Sequence, residues 1–416
     1  MLSPREASAR ILEEISALAA ERVPTIESVG RVAAESIRAT VTIPPWNNAS
    51  MDGYAVRSSD VAAAAADKPV RLPVVAEIPA GKFPPRALAP GEAMRIMTGA
   101  PVPDGADSVV RIEDTDGGTQ AVEIRSARDA GRNVRPAGED FRDGDTLLER
   151  GSEITPAVLG VLLSGGVETI EVHRRPRVAI ISSGDELVLI EDFGEVKAGR
   201  RIVSTNSYTL PALVREAGGR PFDFGIAADT RESLATKLEQ ARDCDLIVTS
   251  AGVSVGDLDY TRDVFESLGG QQKFWKVRIR PGAPLAFGVL GTVPWIGLSG
   301  NPVSAMVTFD LFVRPAIRKM LGHSLLFRRP IAVALEEDVG ISAELTHFLR
   351  VVVTRSRSGD YSARLTRSQS SASLSSLARA NALLVVPPKK QSYAAGSILN
   401  AIPLRDYPFE LPELEL

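Results

Sequence analysis

The residues best able to do chemistry follow apolar, strand-like runs. Ser182-Ser183-Gly184-Asp185-Glu186-Leu187 ends one such run, and Asp229-Thr230 follows a second. A third leads into Ser250-Ala251-Gly252-Val253-Ser254-Val255-Gly256-Asp257-Leu258-Asp259-Tyr260. Asp185, Glu186, Asp229, Asp257 and Asp259 offer hard oxygen ligands of the kind that hold Mg2+ beside a phosphate. The backbone of Ser183, Gly184, Gly252, Ser254 and Gly256 offers N–H groups that cradle the phosphate itself. Taken singly, Asp229 and Asp259 read better as helix N-caps, the commonest use of Asp after a strand. Gathered at one edge, the five acids favour the oxygen-ligated ion.

Cations follow. Lys276, Arg278 and Arg280 alternate, so on a strand all three project to one face. Leu298-Ser299-Gly300-Asn301-Pro302-Val303-Ser304 then opens a helix, with Asn301 as N-cap and Pro302 at the first turn. Exposed N–H groups, the Ser304 hydroxyl and nearby cationic charge describe an oxyanion hole. The plainer alternative is a solvated strand face and an ordinary cap. Gly300, which permits close backbone approach, favours the ligand. Two further stretches, 47–56 and 96–103, are by pattern alone simply loops.

These loops need a scaffold. Strands are expected at 178–182, 221–226, 246–250, 274–277 and 293–298, with helices near 207–217, 230–242, 260–268 and 302–321. A hairpin is expected around Pro281-Gly282. Strands alternating with helices predict a parallel, doubly wound α/β sheet, whose ligands bind beyond the carboxyl ends of the strands. The chain's start reads as a helix, with Ser3 as N-cap, Pro4 at the first helical position and Glu6 closing a capping box. Charges at Glu13 and Glu14 interrupt its apolar stripe, which excludes a secretory h-region. Short strands at 74–78 and 108–112 and a helix after Thr155-Pro156 follow. From about residue 330, runs at 331–335, 348–354 and 383–386 predict a small β-barrel or sandwich, ahead of an acidic tail.

Composition narrows the function. At 416 residues the chain has room for about three domains. Forty-eight basic against 52 acidic residues leave a net charge of −4, so no global basic field draws it to nucleic acid. One cysteine, Cys244, cannot form an internal disulfide, and three scattered histidines cannot build a zinc cage. No run approaches the roughly 18 apolar residues of a membrane span, and a cytoplasmic location is expected.

The strings taken together resemble the MoeA family, the molybdopterin molybdenumtransferases, whose eukaryotic relatives include gephyrin. The resemblance runs through Asn48-Ala49-Ser50-Met51-Asp52-Gly53-Tyr54-Ala55, Met97-Thr98-Gly99-Ala100-Pro101-Val102-Pro103 and Gly138-Glu139-Asp140. It continues in Ser183-Gly184-Asp185-Glu186-Leu187, Gly252-Val253-Ser254-Val255-Gly256, Phe274-Trp275-Lys276, Gly300-Asn301-Pro302-Val303-Ser304 and Leu374-Ser375-Ser376-Leu377-Ala378-Arg379-Ala380-Asn381. It covers about residues 5–405.

The resemblance implies an α/β multidomain chain. Residues 1–174 would form a helical linker region with a β domain inserted at about 50–140. Residues 175–324 would form the molybdopterin-binding domain, 325–405 a C-terminal β-barrel and 406–416 a tail. It further implies a homodimer that inserts molybdate into adenylylated molybdopterin with Mg2+, releasing AMP and molybdenum cofactor. Other molybdenum-cofactor biosynthesis proteins would be its partners. Carried over residue by residue, Asp52, Asp140, Glu186, Lys276 and Arg280 would be catalytic, and Asp229 and Asp259 metal ligands. Thr98, Ser183, Gly184, Asp185, Gly252, Ser254, Gly256, Pro302, Ser304, Arg350 and Ser371 would bind substrate, with Arg350 and Ser371 approaching molybdate. The active cleft would lie between the central domain of one subunit and the inserted domain of the other.

Several positions depart from the family's common form. K-P-G-K-P becomes Arg280-Pro281-Gly282-Ala283-Pro284, exchanging one lysine for a planar fork and losing the second. Ser299 replaces a proline, Ala251 a glycine and Ser370 the glycine of Q-G-S. Two classes therefore stand: the enzyme, favoured by the retained acids and Lys276, and a dimeric scaffold, favoured by Ala283. A nucleotide-dependent kinase would need the Walker string G-x-x-x-x-G-K-[ST], which is absent.

Overall fold

Ser3 starts the first helix, Pro4–Glu13, with the reciprocal bonds of a capping box: Glu6 N donates to Ser3 Oγ at 3.2 Å and Ser3 N to Glu6 Oε2 at 2.7 Å. The computed structural model describes residues 1–251, 258–341, 344–388 and 391–404, with 258–260 as backbone only. Ala7 and Ile11 bury the helix's apolar face in the core of the central domain.

The inserted domain is a five-stranded sheet of β1 (Gly53–Val56), β2 (Val70–Ile78), β3 (Ala93–Ile96), β4 (Ser108–Arg111) and β5 (Ala121–Ile124), in the order β4-β1-β3-β2-β5. Its faces alternate, Tyr54 and Val56 packing into one buried cluster and Ala55 into another. The chain then enters the helix Pro156–Ser164, where Thr155 Oγ1 accepts from Val158 N at 3.3 Å and Pro156 takes the first position.

The central sheet contains β6 (Arg177–Ser183), β7 (Arg220–Ala227), β8 (Leu246–Ser250), β9 (Gly270–Lys276), β10 (Pro284–Leu290) and β11 (Val293–Leu298), in the order β7-β6-β8-β11-β10-β9. Both faces are covered. Val178 and Ile180 of β6 pack on the side of helices Pro4–Glu13 and Asn206–Glu216, while Ala179 and Ile181 pack with Leu234, Leu238 and Phe265 opposite. The near-continuous apolar runs of β6, β8 and β11 follow from this double burial.

The sheet is mixed, not wholly parallel: β10 runs antiparallel to both β11 and β9. The chain does turn back antiparallel around Pro281-Gly282, Lys276 of β9 facing Pro284 of β10, but the tight two-residue hairpin is at Gly291-Thr292, where Leu290 faces Val293 and Gly291 takes φ +65°. The segment after β9 instead leaves the sheet, and Ile279–Arg280 pairs with Thr346 and His347 of the next domain. The expected alternation of 276, 278 and 280 survives this departure, since Val277 and Ile279 are fully buried. The last helix runs from Pro302 to Met320 with a π-helical turn at Phe309–Val313. Pro315, lacking an N–H, cannot continue the ordinary ladder there.

A closed five-stranded barrel completes the described chain: β12 (Ile331–Leu335), β13 (Thr346–Arg355), β14 (Tyr361–Leu365), β15 (Ala382–Val386) and β16 (Ile398–Pro403). The ring closes because β13 pairs with both β14 and β15, so every long strand has two neighbours. Among the described residues no helix is long and apolar enough to cross a membrane.

Candidate functional site

Because β6, β8 and β11 are mutually parallel, their following loops share one edge of the sheet. A cavity of about 470 Å³ opens there. Ser183, Gly184 and Glu186 line it from the β6 loop, Asp229 from the β7 loop, Ser250 and Ala251 from β8, and Ser299, Gly300, Asn301 and Pro302 from β11. The acids therefore face the same space as the start of the Pro302 helix.

Local bonds set this shape. Asp185 and Asp229 lock two loops reciprocally: Asp185 N donates to Asp229 Oδ2 at 3.2 Å, and Asp229 N to Asp185 Oδ1 at 3.1 Å. Asp229 is thus not a helix N-cap. That place belongs to Thr230, whose Oγ1 accepts from Ser233 N at 3.2 Å. Gly184 takes φ +142°, and a Cβ there would lie 2.7 Å from Glu186 Oε2, so glycine lets the Glu186 carboxylate fold over the loop. Ile202 N donates to Glu186 O at 2.9 Å and the Arg201 guanidinium to Asp185 O, which ties the loop to 201–203. Asn301 holds the N-cap position of the Pro302 helix, but its side chain makes no capping bond. Ser304 is 2% exposed, within that helix.

The remaining expected residues stand apart from this cavity or change role. Lys276 ends β9 and lines a different depression of about 450 Å³, with Arg10, Arg262 and Trp275. Arg278 and Arg280 are exposed on the strand between sheet and barrel. Gly252, Ser254, Gly256 and Asp257 lie outside the described residues, as do the Asp259 side chain and the tail. Asp52 and Thr98, 46 residues apart, meet in the inserted domain: Thr98 N and Oγ1 donate to Asp52 Oδ1 at 2.7 and 2.6 Å. These bonds, the hydroxyl first, hold the Asp52 carboxyl below its usual range. Asp140 is exposed near the base of that domain, with its N–H donated to Ile43 O at 3.1 Å.

Arg350 does not stand open to an anion. It is fully buried in the barrel, with Nε donating to Ser376 Oγ at 3.2 Å and Nη2 to the Ser368 and Ser370 carbonyls at 3.2 and 3.0 Å. Burial without a carboxylate partner pulls its pKa down to about 10. The guanidinium braces the loop that carries half-buried Ser371 and brings Ala372 to the cavity.

Sequence reasoning passed over Ser204, Thr205 and Asn206, which also line the cavity. Their only signal was a cluster of small polar residues before a helix.

The donor set suits a hard cation in a limited sense. Among the described residues no group of three or more His, Cys, Asp or Glu could hold a metal ion. Glu186 and Asp229 nevertheless share the cavity, and Mg2+ needs only one or two protein carboxylates when phosphate oxygens and waters complete its shell.

This architecture is that of a multidomain α/β protein with a doubly wound central domain. Three family models match in order: "MoeA N-terminal region (domain I and II)" over residues 2–166, "Probable molybdopterin binding domain" over 179–319 and "MoeA C-terminal region (domain IV)" over 333–404. The chain belongs to the MoeA family. It is 36% identical over 408 residues to "Molybdopterin molybdenumtransferase 2" of Mycobacterium tuberculosis, covering 96% of this chain and 98% of that one. It is 34% identical over 391 residues to "Molybdopterin molybdenumtransferase" of Bacillus subtilis, covering 93% and 90%. The crystal structure of the molybdopterin biosynthesis moeA protein of Pyrococcus horikoshii OT3 superposes with a TM-score of 0.83 at 29% identity, covering 97% of this chain and all 100% of that one.

Proposed function

We propose that this chain is a molybdopterin molybdenumtransferase that binds adenylylated molybdopterin at the carboxyl edge of its central sheet. Molybdate displaces the adenylyl group there, so AMP leaves and molybdenum cofactor remains. The observation that carries this reading is the single cavity in which Glu186 and Asp229 face the Ser299–Pro302 turn.

The chain's own residues bind and orient. Backbone at the start of the Pro302 helix receives phosphate oxygens, because first-turn N–H groups carry the positive end of the helix dipole, while Ser183 and Gly184 line the same cavity. Glu186 and Asp229 would hold Mg2+, with Asp259 as a further ligand, and the ion would supply charge neutralisation on the phosphoanhydride. Lys276 and Arg280 lie outside this cavity and have no part in seating the phosphate there. No covalent nucleophile is needed, since positioning and neutralisation suffice. Asp52, Thr98 and Asp140 lie outside the cavity of their own chain, and a homodimer would bring a partner's inserted domain to it. A buried lone Cys244 suits the reducing cytoplasm.

The test is AMP release from purified protein incubated with adenylylated molybdopterin, molybdate and Mg2+. AMP production above a Glu186→Ala control is expected. Absence of that excess overturns the enzymatic reading, and retained pterin binding would then favour the scaffold that Ala283 suggests.

A further inference from the structure

Asn206 opens the helix Asn206–Glu216 and is 5% exposed. Its amide donates twice, to Ser250 Oγ at 2.6 Å and to Gly300 O at 2.8 Å. These acceptors belong to the loops after β8 and β11, and all three residues line the carboxyl-edge cavity. Asn206 Oδ1, by contrast, is buried without a hydrogen-bond partner. An unpaired buried acceptor is unfavourable, so packing alone does not account for an amide here. Alanine would leave no such orphan.

Neighbouring hydroxyls hold the residue in place. Ser204 Oγ lies 2.7 Å from Ser207 Oγ, which lies 3.0 Å from Ser182 Oγ near the end of β6. Ser182, Ser204 and Ser250 are each no more than 2% exposed. The helix start is thereby pinned to β6, and Asn206 reaches from it across β8 to β11.

Peptide geometry gives this clamp a consequence. The Gly300–Asn301 bond is trans, so its C=O and N–H point in opposite directions. Tying the carbonyl to Asn206 keeps an oxygen that would repel an oxyanion committed to the protein. It also fixes the direction of the Asn301 N–H, in a turn where the Asn301 side chain supplies no cap.

We propose that Asn206 is a positioning residue that sets the Gly300–Asn301 peptide for a phosphate-bearing ligand. The proposal rests on the pterin-nucleotide reading above. Wild type, Asn206→Ala, Asn206→Asp and Ser250→Ala are titrated with adenylylated molybdopterin by calorimetry, and their steady-state AMP release is measured. Asn206→Ala should weaken binding about tenfold, the worth of one hydrogen bond to an anion, and raise KM while kcat stays within about threefold. Asn206→Asp, isosteric but a repulsive acceptor toward Gly300 O, should lose at least as much. Ser250→Ala, which removes one acceptor but keeps the Gly300 bond, should weaken binding by less than Asn206→Ala does.

Asn206→Ala or Asn206→Asp binding like wild type overturns the clamp. So does a Ser250→Ala loss equal to that of Asn206→Ala, or a fall in kcat at constant KM, the mark of a misfolded fraction. If Asn206→Ala does not fold, Asn206→Asp decides. Wild type that binds no nucleotide overturns the preceding reading instead.

Discussion

Placing a methyl on Gly300 gives a quantitative test of the cavity floor. Ala251 follows β8 at φ +78°, in the left-handed region where a Cβ costs about 1–2 kcal/mol. A Cβ on Gly300 would come 3.0 Å from Ala251 Cβ, whereas Ala251 Cα and N lie at 3.5 and 3.9 Å. The obstruction is thus a single methyl. Gly300→Ala in the wild-type chain should destabilise by about 1–2 kcal/mol through overpacking. In an Ala251→Gly background the nearest contact becomes ordinary, and the same change should cost under about 0.5 kcal/mol. Ala251→Gly alone relieves about 1–2 kcal/mol of strain and adds about 0.5–1 kcal/mol of chain entropy, for a net gain of about 0.5–1 kcal/mol. The cycle therefore predicts a coupling of about 1 kcal/mol between the two sites. Urea unfolding followed by tryptophan fluorescence measures it, since Trp275 and Trp295 both belong to the central domain. Coupling below about 0.3 kcal/mol, the level of independent sites, would refute the packing argument.

Other consequences can be checked separately. Thr98→Ala removes the 2.6 Å hydroxyl bond to Asp52, so the Asp52 pKa should rise and the acid limb of activity move to higher pH; an unchanged carboxyl titration by NMR would contradict this. Burial, with Arg318 and Arg314 adding repulsion, pulls His323 down to about 4, below its unfolded value of 6.5. Between those values the unfolded chain binds more protons, so stability should fall as pH drops from about 6.5 to about 4. His323→Gln should flatten that slope in denaturation midpoints across the same window. Arg350→Met leaves two carbonyls and the Ser376 hydroxyl without their donor and should cost about 2–4 kcal/mol in thermal unfolding. Ala283→Lys restores a cation beside the turn at Gly282 and should tighten molybdate about tenfold by calorimetry; equal affinities would refute it.

Much of the fold was legible because local chemistry and tertiary position agree. The Ser3–Glu6 capping box and the Thr155-Pro156 helix start are determined within a few residues and formed as expected. The loops after β6 and β11 were legible for a similar reason: Gly184 and Gly300 interrupt buried strands where a backbone must approach something closely. Features set by distant residues were not. β10 escaped notice because Gly291-Thr292 joins two apolar runs with one weak turn signal. The Asp185–Asp229 lock spans 44 residues, so Asp229 read alone resembled a cap. Arg350 looked like an anion ligand on family grounds, yet carbonyls from its own barrel already occupy its guanidinium. Asn206 carried no more signal than the small polar cluster it belongs to, since its meaning lies in two acceptors 44 and 94 residues away.

A crystal structure of this chain with adenylylated molybdopterin tests the central claim most directly. Phosphate density is expected within hydrogen-bonding distance of the Asn301 and Val303 backbone N–H groups, with Glu186 and Asp229 on its other side. Density seated instead in the apolar cavity of about 330 Å³ lined by Leu213, Leu374 and Leu404 would contradict it.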